Sequence, residues 1–190
     1  HAISNKGTSM VELARVSSLV VSALRSYTID RGEHLISYLP QIDVKTRLRA
    51  CLALIESSGM DEELRHHVVE ALSALLEFDG AQTVVHGDLA PRNMLLEEKS
   101  QSIIVFDFSD IGFATVEYEL GKLVSTISER ENGTALCREL LGCIESNGVS
   151  FDHEMVVANA HLHKAYLSVL LENEPLDAKT LAAIARLSNS

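Results

Sequence analysis

The sequence predicts a mainly helical α+β domain with a small β insertion at its middle. Three observations predict it. Apolar residues recur at three- and four-residue steps on both sides of a central stretch, the spacing of amphipathic helices. Between residues 83 and 108 that spacing gives way to short β-branched and apolar runs. And 190 residues, 46% hydrophobic and 23% charged, suffice for one sizeable core.

The elements follow in order. Met10 to Tyr27 predicts a helix with Leu13, Val16, Val20, Leu24 and Tyr27 on one stripe; Thr28 to Gly32 predicts a break, and Pro40 closes the segment after it. Asp43 is placed to cap a helix to about Ser57, with Leu48, Cys51, Leu52 and Ile55 inward and Ser58-Gly59 as its stop. Asp61 to Phe78 is the clearest helix: Leu64, Val68, Leu72, Leu75 and Leu76 form its stripe, and Asp61, Glu62 and Glu63 suit its positive N-terminus. After the Asp79-Gly80 turn, Thr83-Val84-Val85 reads as a strand. Asn93–Leu96 and Ile103–Phe108 read as a hairpin joined by polar residues. Beyond Gly112 the pattern returns to helix over about Glu117–Arg130, Thr134–Ser146, Asp152–Leu171 and Asp177–Leu187, with Asn147-Gly148 and Pro175 as breaks. No repeat or linker interrupts the chain, so residues 1–190 read as one domain.

Composition excludes some functions. A net charge of −11 disfavours nucleic acid, whose phosphates need a basic face, and leaves cationic small molecules open. Cys51, Cys137 and Cys143 form no C-x-x-C pair, which argues against a disulfide framework and for a reducing compartment, the cytoplasm. Cys51 lies on an inward helical face and reads as core; Cys137 and Cys143 read as packed or half-packed. Apolar runs fall far short of the ~18 residues of a membrane span. His161 and His163, two apart on a helix, point to different sides, which argues against a metal pair, and they read as surface or partly buried; His66-His67 fails as a pair likewise.

The chemistry lies in the β insertion, Val84-Val85-His86-Gly87-Asp88-Leu89-Ala90-Pro91-Arg92-Asn93-Met94-Leu95-Leu96 and then Ile103-Ile104-Val105-Phe106-Asp107-Phe108. Asp88 follows a strand and a Gly, so it sits on a loop. Asn93 opens the next strand, and Asp107 lies near the end of the return strand. A tight loop and a hairpin can bring these three oxygen-bearing side chains to one edge, and such hard donors suit Mg²⁺. Taken singly, each also fits turn chemistry.

The spacing resembles the kinase catalytic loop, Asp-x-x-x-x-Asn followed by a metal-binding Asp on the next hairpin arm. His86-Gly87-Asp88 and Ala90 point to the aminoglycoside phosphotransferase and choline kinase branch. Gly112 through Tyr118-Glu119-Leu120-Gly121 looks like that branch's Gly…Asp-Leu-Ala segment, with Glu119 in place of Asp, Gly121 in place of Ala, and Ser109 where Asp-Phe-Gly has Gly. The resemblance covers Val84 to Gly121. It implies the helical C-terminal lobe of a protein-kinase-like fold, with the hairpin carrying the catalytic loop. It implies Asp88 as the catalytic residue that accepts or orients the substrate hydroxyl proton. His86, Asn93 and Asp107 are implied in cofactor binding, Asn93 and Asp107 by holding Mg²⁺ at the phosphates of ATP or GTP and His86 by orienting the loop through backbone hydrogen bonds.

The same resemblance exposes an absence. Nothing before residue 80 alternates like strands, no Gly-rich loop is present, and Lys6 and Lys45 lie outside any strand pattern. The chain begins His1-Ala2, so it is expected to be the C-terminal lobe alone, without the nucleotide lobe and inactive by itself. The expected function is phosphoryl transfer to a hydroxyl of a small polar molecule, an aminoglycoside being favoured. Choline, methylthioribose, homoserine and sugar amines fit too, and the rival is a non-catalytic kinase-like binding module. Glu172, Glu174 and Asp177 read as a solvated loop or as a receiver of cationic substrate; Glu117 and Glu119 read as helix-capping, structural residues.

Overall fold

The computed structural model describes residues 10–36, 38–97, 102–170 and 176–188. Seven helices and four short strands run α1 (Met10–Ile36), α2 (Val44–Glu56), α3 (Glu62–Glu77), β1 (Gln82–Val85), β2 (Met94–Glu97), β3 (Ser102–Val105), β4 (Gly112–Thr115), α4 (Val116–Ile127), α5 (Gly133–Ser146), α6 (His153–Leu170) and α7 (Ala178–Ala185) among them. The mainly helical class and the central hairpin are as the sequence predicts. The residues joining β2 to β3 and Glu172, Glu174 and Pro175 lie outside the described residues.

Two packed clusters form the core. Leu13, Val16 and Val21 of α1 pack with Leu120 and Leu123 of α4 and Leu140 and Ile144 of α5. Leu48, Cys51 and Ile55 of α2 pack with Val68, Leu72 and Leu75 of α3 and with Leu162 and Ala165 of α6. Cys51 and Cys137 are fully buried and Cys143 is half-buried. Asp43 caps α2 by accepting from the Thr46 N–H at 2.9 Å, and Asp61 caps α3 by accepting from Glu63 and Leu64 at 3.1 and 3.2 Å. Both caps fall where the sequence places them.

Helix α1 differs from expectation. It runs through Thr28–Gly32 to Ile36, because an extending helix adds a bond per residue and one interior Gly costs only about 1 kcal/mol. Its stripe buries Leu13 and Val16 but leaves Tyr27 exposed. Strand β4 was not expected. It pairs antiparallel with β1 over Gln82–Val85, while β2 pairs with β3 in register Met94↔Val105. Residues 40–42 flank the other side of β4 through Ile42 N–H to Phe113 O at 3.0 Å and Phe113 N–H to Pro40 O at 2.9 Å. Thr115 then caps α4 directly, accepting from Tyr118 N–H at 3.3 Å. Among the described residues no helix is long and apolar enough to cross a membrane.

Gly121 explains its own departure from the family pattern. A Cβ there would lie 2.4 Å from Asn159 Cβ and 2.8 Å from its carbonyl carbon, so α4 and α6 approach to backbone contact. Ala favours a helix over Gly by about 1 kcal/mol, whereas overpacking a closed interface costs about 1–3 kcal/mol. Overpacking outweighs propensity: Gly121→Ala is expected to lower stability by up to about 2 kcal/mol in chemical denaturation, and a stabilised variant would show that the helices have slack.

The two α6 histidines face different neighbours, as their spacing requires. His161 meets His67 of α3 at 5.8 Å between ring centroids, and His163 meets the Tyr118 carbonyl of α4 at 2.9 Å. His161 is fully buried, more so than expected, because α6 is covered on more than one side. Among the described residues neither of its ring nitrogens has a hydrogen-bond partner, and burial followed by the nearby His67 pushes its pKa down to about 3. The unfolded chain takes up this proton below the ordinary value of 6.5, and the folded chain refuses it until about 3. Stability carried by neutral His161 is therefore complete above pH 6.5 and declines as pH falls toward 3. The stability difference between wild type and His161→Leu should shift against wild type by about 1.4 kcal/mol per pH unit below 6.5. A pH-independent difference in urea titrations would refute the neutral assignment.

Candidate active site

The loop from His86 to Asn93 is held from behind by two groups. His86 is fully buried; its Nε2 lies 3.0 Å from Phe106 O, and its Nδ1 accepts from the Asp88 N–H at 3.3 Å. A carbonyl can only accept and an N–H can only donate, so the proton sits on Nε2 and the ring is neutral. Both nitrogens are spent on the chain itself, which ties the loop to the strand end beyond β3. Glu119 supplies the second anchor: its Oε2 accepts from the Gly87 N–H at 2.9 Å. It is 1% exposed, and burial pushes its pKa up to about 7, against the pull of the Gly87 N–H.

Gly87 permits the turn between them. Its φ is +82°, and a Cβ there would lie 2.1 Å from the Asp110 carbonyl oxygen. Only glycine meets both conditions at low cost. The loop then delivers Asp88 to the rim, with its side chain 15% exposed.

Four contacts converge on the Asp88 carboxylate. Arg92 Nη2 straddles it, 2.8 Å from Oδ1 and 2.7 Å from Oδ2. Asn93 Nδ2 donates to Oδ2 at 2.8 Å, and also to the Asp88 carbonyl at 2.8 Å. Lys122 Nζ lies 3.0 Å from Oδ1. Burial pushes the Asp88 pKa upward, but Lys122, Arg92 and Asn93 together outweigh it and hold the carboxyl below its usual range.

Asp107 is linked to this group through the backbone. The Asn93 carbonyl accepts from Phe106 N–H at 3.1 Å, which carries the β2–β3 pairing one residue further. Asp107 follows in the left-handed region at φ 63°, a conformation Asp tolerates better than most residues. Its side chain is exposed, with Oδ1 accepting from Ser109 Oγ at 2.9 Å. Thus Asp88 and Asn93 touch, and Asp107 follows directly on the strand end paired to Asn93. Asn93 is only 4% exposed, because its amide nitrogen turns inward to the loop it braces.

Sequence reasoning gave Lys122 no role and left Arg92 unassigned. A signal existed for each: Arg92 lies on the same short loop as Asp88, and Lys122 is three residues from Glu119 on α4, the spacing that puts two side chains on one helical face. Glu117 and Glu119 correct an expectation. They do not cap α4; Glu117 Oε1 accepts from Asp152 N–H at 3.1 Å, and Glu119 holds the loop. Asp177 is the N-cap of α7, accepting from Thr180 N–H at 3.0 Å and pairing with Lys164 at 3.1 Å. Among the described residues no three His, Cys, Asp or Glu side chains form a metal cluster.

A two-stranded rim bearing a His-Gly-Asp loop, set among helices, defines the helical lobe of a kinase-like fold. The model of the phosphotransferase enzyme family matches residues 27–141, more than half of the chain. This chain belongs to that family. Solved structures with the same fold include macrolide 2'-phosphotransferase MphH from Brachybacterium faecium, at 19% identity and a TM-score of 0.58 over 96% of this chain and 61% of that one. Choline kinase LicA from Streptococcus pneumoniae matches at 15% identity and a TM-score of 0.56, over 95% and 62%. The GDP and kanamycin complex of APH(2")-IIia matches at 13% and 0.63, over 97% and 65%. The chain therefore spans roughly three-fifths of the length of these relatives. No curated protein sequence matches it.

Proposed function

We propose that this chain carries the acceptor side of a small-molecule kinase site, which moves the γ-phosphoryl group of ATP or GTP to an alcohol. The observation that carries this reading is the Asn93–Asp88 contact, held on a loop that His86 and Glu119 fix in place. Asp88, ionised and at the rim, orients the acceptor hydroxyl and takes its proton. Asn93 and Asp107 are hard oxygen donors: Asn93 keeps Oδ1 while its nitrogen braces Asp88, and Asp107 presents an exposed carboxylate. One or two such ligands with phosphates and water suit Mg²⁺, which would neutralise phosphate charge when bound. Phosphoryl transfer asks for positioning and charge rather than covalent chemistry, so few side chains suffice.

The strands among the described residues all lie between 82 and 115, and none carries a Lys. The nucleotide base and the phosphate-covering loop are accordingly assigned to a segment outside the described residues. The acceptor is read as a cationic, hydroxylated small molecule, an aminoglycoside or choline-like amine. The net charge of −11 supports that class, as do relatives whose names include kanamycin and choline. The longest natural protein containing this sequence, given MgATP or MgGTP, should release nucleoside diphosphate only when such an acceptor is present. A folded protein that turns over with none of a panel of amino-alcohols and aminoglycosides would overturn the reading.

A further inference from the structure

The Asp88 carboxylate is saturated. A carboxylate offers about four lone-pair sites, and Arg92 takes one on each oxygen, Asn93 one on Oδ2 and Lys122 one on Oδ1. An acceptor hydroxyl has no place to donate until one partner leaves. Asn93 is buried and also bound to the Asp88 carbonyl. Lys122 is 25% exposed and fixed on α4. Arg92 is 57% exposed and sits on the short turn Pro91–Asn93 of the loop itself. Arg92 is the most exposed of the three and regains water on leaving, so it is the partner released at least cost.

A released guanidinium at this position lies beside the alcohol it made room for, where negative charge gathers during transfer. Its planar fork matches phosphate oxygens, which a point charge does not. We infer that Arg92 is a movable catalytic residue: in the resting site it covers Asp88, and on acceptor entry it passes from that carboxylate to the transferring phosphoryl group. Lys122 stays behind and keeps Asp88 ionised. In the step itself the acceptor oxygen bonds to the γ-phosphorus as the bond from phosphorus to the β–γ bridging oxygen breaks. The hydroxyl proton passes to Asp88, and nucleoside diphosphate leaves with the electron pair. This inference rests on the reading of Asp88 as the hydroxyl's partner.

The test uses the 190-residue chain and ¹⁵N NMR, with pyrophosphate and Mg²⁺ as the phosphoryl probe at constant ionic strength. The Arg92 Nε–H resonance, identified by its loss in Arg92→Lys, should shift saturably together with the backbone amides of Asn93 and Asp107. If those amides respond and Arg92 does not, the movable-arginine inference fails and the site reading stands. If none responds, both fall. In acceptor turnover by the longest natural protein, Arg92→Ala should lower kcat about 100-fold, with the nucleotide KM changed only a few-fold. Arg92→Lys should recover part of that loss. A kcat that rises in Arg92→Ala would make Arg92 a bare latch and overturn its catalytic role.

Discussion

Asp88→Asn is expected to slow phosphoryl transfer by about 10³-fold or more while the protein stays folded. The amide cannot take the acceptor proton, and it loses the charge that fixes Arg92 and Lys122. Positioned proton transfer contributes about 10²–10⁴-fold, and a disordered arginine adds to the loss. The stability cost is small by comparison. Arg92 is exposed and Lys122 partly so, so both cations recover water rather than remaining as buried unpaired charges. Parallel measurements of turnover and urea denaturation separate the two effects. A variant that is folded and retains a tenth of the wild-type rate would remove Asp88 from the proton-accepting role. A variant that fails to fold would instead locate the importance of Asp88 in bracing the loop through Asn93.

Much of this molecule was legible in its sequence. The caps at Asp43 and Asp61 announce themselves because capping is local: an acidic residue one step before an apolar stripe has few other uses. The His86–Asn93 segment was legible for another reason. Its spacing of Asp88 and Asn93 encodes a loop length, and loop length fixes which side chains meet. Strand β4 escaped because Gly112–Thr115 is too short to show alternation, and its partner β1 lies on the far side of the whole hairpin. Non-local pairing leaves no local trace. Glu119 escaped in part. Its segment was matched, but position in the first turn of α4 suggested dipole capping, and only the tertiary structure brings Gly87 N–H to its carboxylate. Helix α1 misled through Gly32, where a weak local preference yielded to continuation of an existing helix.

The full burial of Glu119 also bears on the site's pH response. Below pH 7 the folded chain holds a proton on Glu119 that the unfolded chain releases above 4.5. Its contribution is complete below 4.5 and is lost as pH rises through about 7. This runs opposite to His161, so the two groups oppose each other between pH 4.5 and 6.5. The loop anchor is thus a different acid–base element from the core histidine, although α4 and α6 pack together.

Gly87→Ala is expected to do more damage than any other single methyl in the site, because it acts on two segments at once. Holding a non-glycine residue at φ +82° costs about 1–2 kcal/mol. The added Cβ would also lie 2.1 Å from Asp110 O, a backbone atom that no rotamer change can move. Relief requires shifting either residues 86–88 or residues 107–110. The first shift draws Gly87 N–H from Glu119 and displaces Asp88. The second tilts the turn that positions Asp107 and Ser109. Either path separates Asp88 from Asp107. The expected stability loss is about 3–5 kcal/mol, and misplacement by about 1 Å is enough for a rate loss of about 10²-fold. Denaturation of the 190-residue chain measures the first, and turnover by the longest natural protein the second. An alanine variant within 1 kcal/mol of wild type, with Asp88 and Asp107 amide resonances unshifted, would show that the two segments do not share this contact.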